Sequence, residues 1–449
     1  MKTYSIQTMG CQMNERDSET IAGLLEQMGY TPAAEQEREN ADVIVVNTCS
    51  VRENADDRFF GTLGRLKHIK LQHPDTIIAV CGCMMQQEHI TDRIRDKHAW
   101  VDLIFGTHNI SALPAMLDEL PQGRAKRSEP AIHILNERHG LDEGLPAKRG
   151  FSFKGSVNIM YGCNNFCSYC IVPYTRGREV SRDAESILHE VRGLAGAGAR
   201  EILLLGQNVN SYSGKGGVDF ADLVTMVDAV PGVERIRFMT SHPKDLSAKL
   251  IDRFRPAEKG GAGRLCPSIH LPVQAGSTRV LELMNRRYTK EGYIDLVSRL
   301  RSARPDIVIS TDLIVGFPGE TDEDFEDTMD LIEQVRFDSA FTFLFSPRNG
   351  TPAADFEDLT PADVKQERFD RMVKRLNEIT LEKNKAYIGS VQEVLVEGLS
   401  KTDPRKLSGR TFAGKLVNFA GDPGETPIGA IVTVIIESVK TFSFTGKKL

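Results

Sequence analysis

The sequence predicts an α/β protein in three parts: an N-terminal open parallel α/β domain, a central partial (βα)6 barrel and a C-terminal small antiparallel β-barrel. Three observations predict it. Short apolar runs alternate with amphipathic helical stretches over most of the chain, which implies parallel strands covered by helices. Beyond about residue 376 the pattern turns β-rich, with Gly and Pro turns. And 449 residues are too many for one hydrophobic core, so two or three domains are expected.

Residues 1–120 form the first part. The strand-like runs are "TYSIQT", "DVIVVN", "TIIAV" and "DLIFG", and helices are expected over Ser18–Met28 and "ISALPAMLDEL". A cysteine follows each of the first three runs: Cys11 in "MGCQMN", Cys49 in "NTCSV", and Cys81 and Cys83 in "VCGCMM". Loops after the strands of an open α/β sheet gather at one edge and build the ligand site there. Cysteines far apart in sequence are therefore expected to converge in space. Taken one at a time, each reads as a small buried hydrophobe. Residues 121–148 are polar and rich in Pro, Gly and charge, as a linker should be.

Residues 149–375 repeat a strand–helix unit. The strands are "SVNIM", "EILLLG", "RIRFMT", "SIHLPV", "DIVISTDLIVG" and "AFTFLF", with helices such as Ala184–Ala197 and Asp322–Val335. Six units make a partial parallel barrel, whose active site lies at the C-terminal ends of its strands. "YGCNNFCSYC", "GQNVN", "TSHP", "VQAGS" and "GFPGET" all fall at that mouth. Residues 376–449, with "VQEVLVEGL", "GRTFAGKLVNFAG" and "GAIVTVIIESVKTFSFTG", fit a small barrel of the oligonucleotide-binding kind. This tail carries 10 Lys and Arg against 8 Asp and Glu in a chain of net charge −6, a weak hint of nucleic acid that an ordinary solvated surface also explains.

Composition excludes several classes. The start "MKTYSIQTMG" has no apolar core of a secretory leader, and no apolar run approaches the roughly 18 residues of a membrane span. A cytoplasmic location is expected, where thiols stay reduced. The eight cysteines are then better read as metal-binding or catalytic than as disulfides.

Cys163, Cys167 and Cys170 carry the chemistry. Three thiols on one short loop, with no obvious fourth, leave one metal position open, whereas structural zinc wants four ligands. A four-iron cube with three thiolates leaves one iron free. The C-x3-C-x2-C spacing before a barrel, with Tyr169 preceding the third cysteine, resembles the radical S-adenosylmethionine (SAM) enzymes. The resemblance then narrows. "YGCNNFCSYCIVPYTRGREVSR", "LLGQNVNSY", "SHP", "HLPVQAGS" and "DLIVGFPGET" resemble the radical SAM methylthiotransferases of the MiaB type, which modify tRNA. "MGCQMN", "NTCSVRENA" and "CGCMMQ" resemble that family's N-terminal domain, and the C-terminal barrel its RNA-binding TRAM domain.

The resemblance implies two [4Fe–4S] clusters and SAM as cofactors. Cys163, Cys167 and Cys170 would hold the cluster that cleaves SAM, and Cys11, Cys49 and Cys83 an auxiliary cluster carrying the sulfur to be transferred. Cys81 becomes an extra, packed thiol, and Cys266 reads as core. The implied reaction is methylthiolation at C2 of N6-isopentenyladenosine beside the anticodon, with one SAM as methyl donor and one as radical source. The implied partners are tRNA bearing that base and a low-potential electron donor such as flavodoxin; a monomer is expected, without a membrane.

Other mouth residues keep two readings. Tyr169, Gln207, Asn208, Gly316 and Gly319 are the candidate SAM contacts. Gln207 and Asn208 equally suit helix caps, and "GFPGET" (Gly316–Thr321) equally suits a plain strand–helix turn. His242 and His270 read as structural histidines. Arg176, Arg178 and Arg182 could meet phosphate or the SAM carboxylate, or be solvated. The threonylcarbamoyl-adenosine methylthiotransferase is the runner-up; an iron–sulfur carrier and an RNA-binding protein without cluster chemistry are the other classes.

Overall fold

The structure, a computed structural model, describes residues 2–50, 55–120, 129–136, 140–141 and 143–449. The chain divides into two compact units, one of Met1–Gly150, Met160–Phe166 and Cys170–Arg182, the other of Phe151–Ile159, Cys167–Tyr169 and Asp183–Leu449.

The first unit is built on a six-stranded parallel sheet. In chain order its strands are Thr3–Thr8, Thr31–Pro32, Val43–Thr48, Ile77–Gly82, Leu103–Phe105 and Ala131–His133, and in space they run second, first, third, fourth, fifth, sixth. The four expected runs are all strands. The two edge strands are only two and three residues long and carry no apolar run to mark them. The sixth lies inside the segment read as a linker, of which residues 121–128, 137–139 and 142 are outside the described residues. So are Val51–Asn54 of "NTCSVRENA".

Alternation along the buried strands supplies both faces. Val43, Val45 and Ala79 pack with Ile21, Leu25 and Leu113 on one side. Ile44, Val46, Ile78 and Val80 pack with Phe59, Leu63 and Ile94 on the other. The first helix runs Gln12–Gln27, starting six residues before the expected Ser18. Its opening turns bury Asn14, Arg16 and Asp17, polar side chains that a hydrophobic-pattern reading assigns to solvent. Strand order reverses between the first and third strands, and that switch point is where open α/β sheets bind ligands.

The second unit holds the six expected barrel strands, all parallel, in two sheets of three. Lys154–Asn158, Glu201–Leu205 and Arg235–Phe238 make one; Ser268–His270, Val308–Val315 and Ser339–Leu344 make the other. An isolated parallel bridge pairs Ile236 with Leu265, in the segment that leads into the fourth strand. The barrel is thus an open arc interrupted where "RLCPS" leads into the fourth strand.

The C-terminal strands Val391–Leu399, Lys406–Thr411, Leu416–Ala420, Ile431–Val439 and Phe444–Lys448 close into a five-stranded barrel around Val394, Val396, Val417, Phe419, Val434 and Phe444. The helix Ala362–Lys385 runs across position 375, so the composition change at 376 falls inside a helix. Two arginines of the third barrel strand fasten the small barrel to the arc. Arg235 donates to the carbonyls of Arg410 (2.9 Å) and Glu393 (3.1 Å), and Arg237 to those of Thr411 and Phe412 (both 3.0 Å). Backbone carbonyls accept whatever the local side chains are, so this docking has no pattern that a sequence would show. Among the described residues no helix is long and apolar enough to cross a membrane.

Candidate functional site

Cys11, Cys49 and Cys83 meet at the switch-point edge of the first unit. Cys11 is the N-cap of the first helix, Cys49 directly follows the third strand and Cys83 opens the turn after the fourth. Two glycines permit the approach. A Cβ on Gly10 (φ +136°) would stand 2.6 Å from the Cys49 Cβ, and one on Gly82 (φ +101°) 2.2 Å from the Thr48 carbonyl. An amide network fixes the loops: Asn14 Nδ2 donates to Asn47 Oδ1 (3.0 Å) and the Thr48 carbonyl (2.7 Å), while Asn47 Nδ2 donates to the Asn14 carbonyl (2.9 Å) and Ser18 Oγ (3.0 Å).

The electrostatics act differently on two of the thiols. A hydrogen bond from Cys49, with the nearby Arg176 guanidinium, draws the Cys11 thiol down to about 6 against the cost of burial. Burial pushes Cys83 up, opposed chiefly by Arg176. Arg176 is itself buried; its Nε donates to Cys83 Sγ at 3.0 Å and its Nη1 pairs with Asp17 at 2.7 Å. A cation buried against thiols is the complement of an anionic cluster site. Among the described residues no three His, Cys, Asp or Glu side chains converge tightly enough for one ion, whose sulfur donors would have to reach a single point at about 2.3 Å. A four-iron cube takes thiolate ligands, and three free cysteines at one sheet edge beside a buried guanidinium are donors of that chemistry. A cavity of about 620 Å³, lined in part by Met9, Gly10, Thr48 and Cys49, adjoins the site.

Cys81 belongs elsewhere. Strand alternation puts Cys81 on the same face as Ala79, in the apolar cluster with Val43, Val45 and Phe105, and burial holds its thiol well above the ordinary range. Replacing Cys81 with Ala is expected to leave the iron content unchanged and to cost about 1 kcal/mol of stability. Iron analysis with thermal unfolding checks this; iron loss would move the ligand from Cys83 to Cys81.

The loop Tyr161–Cys170 is fixed by backbone as much as by side chains. In the first unit the Cys163 N–H donates to the Gly177 carbonyl (3.0 Å), Asn165 Nδ2 donates to Cys163 Sγ (3.5 Å), and Arg178 lies over the Phe166 ring at 4.3 Å. Phe166 adopts φ +47°, a conformation uncommon outside glycine. In the second unit Cys167 is buried and accepts from Arg286 Nη1 at 3.4 Å. There the Ser168 N–H donates to the Met284 carbonyl (3.1 Å), and Tyr169 packs against the cluster of Val280, Met284 and Phe317.

At the ends of the second and third barrel strands, Asn208 commits both ends of its amide: Nδ2 donates to Asp245 (2.7 Å) and Oδ1 accepts from the His242 N–H (3.1 Å). Among the described residues, buried Gln207 Oε1 has no hydrogen-bond partner, which leaves it the freer of the two amides. Burial and the Arg286 charge bring His242 down to about 2, so it is neutral. His270 lies between Ser310 (3.0 Å) and Asp312 (3.3 Å). Gly316 and Gly319 both take positive φ, and the Gly316 N–H is occupied by Glu320 (3.2 Å). Of the three arginines after the cysteine loop, Arg178 covers Phe166 and Arg182 pairs with Glu143 (3.6 Å). The role of Arg176 at Cys83 was hidden because its partner Asp17 is 159 positions away in sequence; Arg286 sits in "NRRYT", which carries no recognised pattern.

Comparison with known proteins follows the same division. Residues 3–106 match the family described as uncharacterized protein family UPF0004, residues 157–332 the radical SAM superfamily and residues 385–449 the TRAM domain. Among solved structures, a radical S-adenosylmethionine methyltransferase, TsrM, from Kitasatospora setae aligns with a TM-score of 0.55 at 14% identity, over 79% of this chain and 74% of that one. It shares the fold. Full-length relatives are much closer in sequence. A protein of Alkaliphilus oremlandii (strain OhILAs) named tRNA-2-methylthio-N(6)-dimethylallyladenosine synthase is 52% identical over 99% of this chain and 92% of its own. One of the same name from Clostridium perfringens (strain SM101 / Type A) is 51% identical over 99% and 97%. At that identity over nearly its whole length, the chain belongs to the tRNA-2-methylthio-N(6)-dimethylallyladenosine synthase family of radical SAM methylthiotransferases.

Proposed function

We propose that the chain replaces the C2 hydrogen of N6-isopentenyl (dimethylallyl) adenosine, next to the anticodon of tRNA, with a methylthio group, using two SAM molecules. The observation that carries this reading is identity above half, over nearly the whole chain, to enzymes of that name. The chemistry agrees. The C2–H of adenine has no useful acidity, so acid–base groups alone cannot functionalise it. One [4Fe–4S] cluster would supply the one-electron reduction of SAM, and a second would supply the sulfur for transfer.

The residues divide the work. Cys163, Cys167 and Cys170 would hold the radical cluster; Cys11, Cys49 and Cys83, with Arg176 donating to Cys83, would hold the auxiliary one. Gln207, Gly316, Gly319 and Tyr169 remain the proposed SAM surface, and Asn208 would tie Asp245 to the His242 backbone by the two bonds its amide makes. Residues 1–120 would carry the auxiliary site, 149–375 the radical core and 376–449 the tRNA grip. The last boundary would be drawn after the helix Ala362–Lys385 in any truncation. A low-potential donor such as flavodoxin would reduce the radical cluster in the cytoplasm.

The target base must leave its stack to be modified. Burying five isopentenyl carbons contributes on the order of 4 kcal/mol at about 0.8 per carbon, and discrimination by one apolar group falls short of that ceiling. Anaerobic turnover of isopentenylated, threonylcarbamoylated and unmodified tRNA is therefore expected to favour the first by about 10- to 200-fold. Fastest reaction of the threonylcarbamoylated RNA would overturn the substrate assignment in favour of the runner-up. No reaction with any RNA would overturn the tRNA reading.

A further inference from the structure

Arg286 is a buried cation, 5% exposed, in the second unit. Its hydrogen bonds go from Nη1 to Cys167 Sγ (3.4 Å), from Nη2 to the Pro272 carbonyl (2.7 Å) and from Nε to the Tyr288 hydroxyl (2.8 Å). Tyr288 in turn donates to the Val273 carbonyl (2.8 Å), which orients its oxygen toward the guanidinium. No carboxylate appears among these partners, and no ion pair of Arg286 is present among the described residues. The flanking residues, Asn285 (φ +56°) and Arg287 (φ +58°), both take the left-handed conformation. Such backbone is strained outside glycine and persists where the surroundings impose it. A buried charge without a counter-charge is likewise costly. Both expenditures aim one guanidinium at one cysteine sulfur. Neighbouring His242 is neutral and supplies no second charge.

A [4Fe–4S]²⁺ core held by three thiolates is a net anion, and reduction makes it more so. Positive charge and N–H donors at the sulfurs favour the reduced state. We propose that Arg286 is a positioning residue for the radical cluster: it orients Cys167 through its N–H and supplies the buried counter-charge that raises the cluster's reduction potential. This rests on the reading of Cys163, Cys167 and Cys170 as that cluster's ligands.

The test uses the full chain with Cys11, Cys49 and Cys83 replaced by Ala, reconstituted anaerobically, so that a single cluster is observed. It is titrated with titanium(III) citrate, and the reduced cluster is followed by electron paramagnetic resonance. Arg286→Gln is expected to lower the ratio of reduced to oxidised cluster about tenfold at a fixed potential, equivalent to about 59 mV for one electron. Arg286→Lys should recover most of that loss, and Tyr288→Phe, which keeps the charge but loses the orienting hydroxyl, should shift the ratio by a smaller factor. An unchanged ratio in Arg286→Gln overturns the proposal. So does an unchanged ratio with weakened SAM binding, which would make Arg286 a contact to the SAM carboxylate. Equal iron loss in the Gln and Lys variants, with Tyr288→Phe unshifted, makes the residue structural only and also overturns it. A parent protein that binds no iron defeats the underlying ligand reading, and the parent's iron content separates that result from the others.

Discussion

Replacing Cys163, Cys167 and Cys170 together with Ala is expected to abolish 5′-deoxyadenosine formation, a fall of at least about a thousandfold and so about 4 kcal/mol in barrier terms. About half the iron should remain, because the auxiliary set is untouched. The effect is all-or-none for a physical reason. Acid–base side chains at the strand ends move protons and cannot supply the electron that a one-electron cleavage needs. His242 is neutral and buried, and His270 is held between Ser310 and Asp312. Folding should survive. The loop is also tied by backbone bonds, from the Cys163 N–H to Gly177 in one unit and from the Ser168 N–H to Met284 in the other, which Ala substitution of the thiols leaves in place. The assay is anaerobic incubation with SAM and a strong reductant, with nucleoside products and iron measured on the same sample. Residual 5′-deoxyadenosine at more than a few per cent of the parent would show that these thiols do not hold the cleaving cluster.

Much of this was legible in the sequence, for identifiable reasons. The buried strands Val43–Thr48 and Ile77–Gly82 announce themselves because both faces are covered, so each opens with four consecutive apolar residues. The cysteine spacing at 163, 167 and 170 is legible because one short loop carries all three thiols. What was not legible depends on side chains meeting across long sequence separations. Asp17 and Arg176 form one buried pair, and neither position looks unusual alone. Arg286 reaches Cys167 from a turn that no motif marks. The start of the first helix was misplaced because Asn14, Arg16 and Asp17 are polar residues buried to serve the cysteine edge. The same local conflict, polar groups where a helix pattern predicts solvent, is what a functional site produces.

The complementary triple variant, Cys11, Cys49 and Cys83 to Ala, should separate the two chemistries. It is expected to lose about half the iron and all methylthiolated product, yet to keep 5′-deoxyadenosine formation within a few-fold of the parent. The separation follows from where the residues sit: these thiols cap and follow strands of the first unit's sheet, and none of them lies in the loop Tyr161–Cys170. Arg176 gives the finer version of the test. Arg176→Met removes the N–H that reaches Cys83 and leaves Asp17 buried without its partner, which costs roughly 3–5 kcal/mol. A lone Arg176→Met variant therefore confounds stability with cluster binding. Pairing it with Asp17→Asn removes the stranded charge and recovers much of that stability, while the donor to Cys83 stays missing. Iron content in the double variant should remain near the level of the Cys11, Cys49 and Cys83 triple variant even though thermal stability improves. Full iron in the triple variant would place the auxiliary ligands elsewhere. Full iron in the Arg176→Met, Asp17→Asn pair would reduce the buried arginine to a packing role.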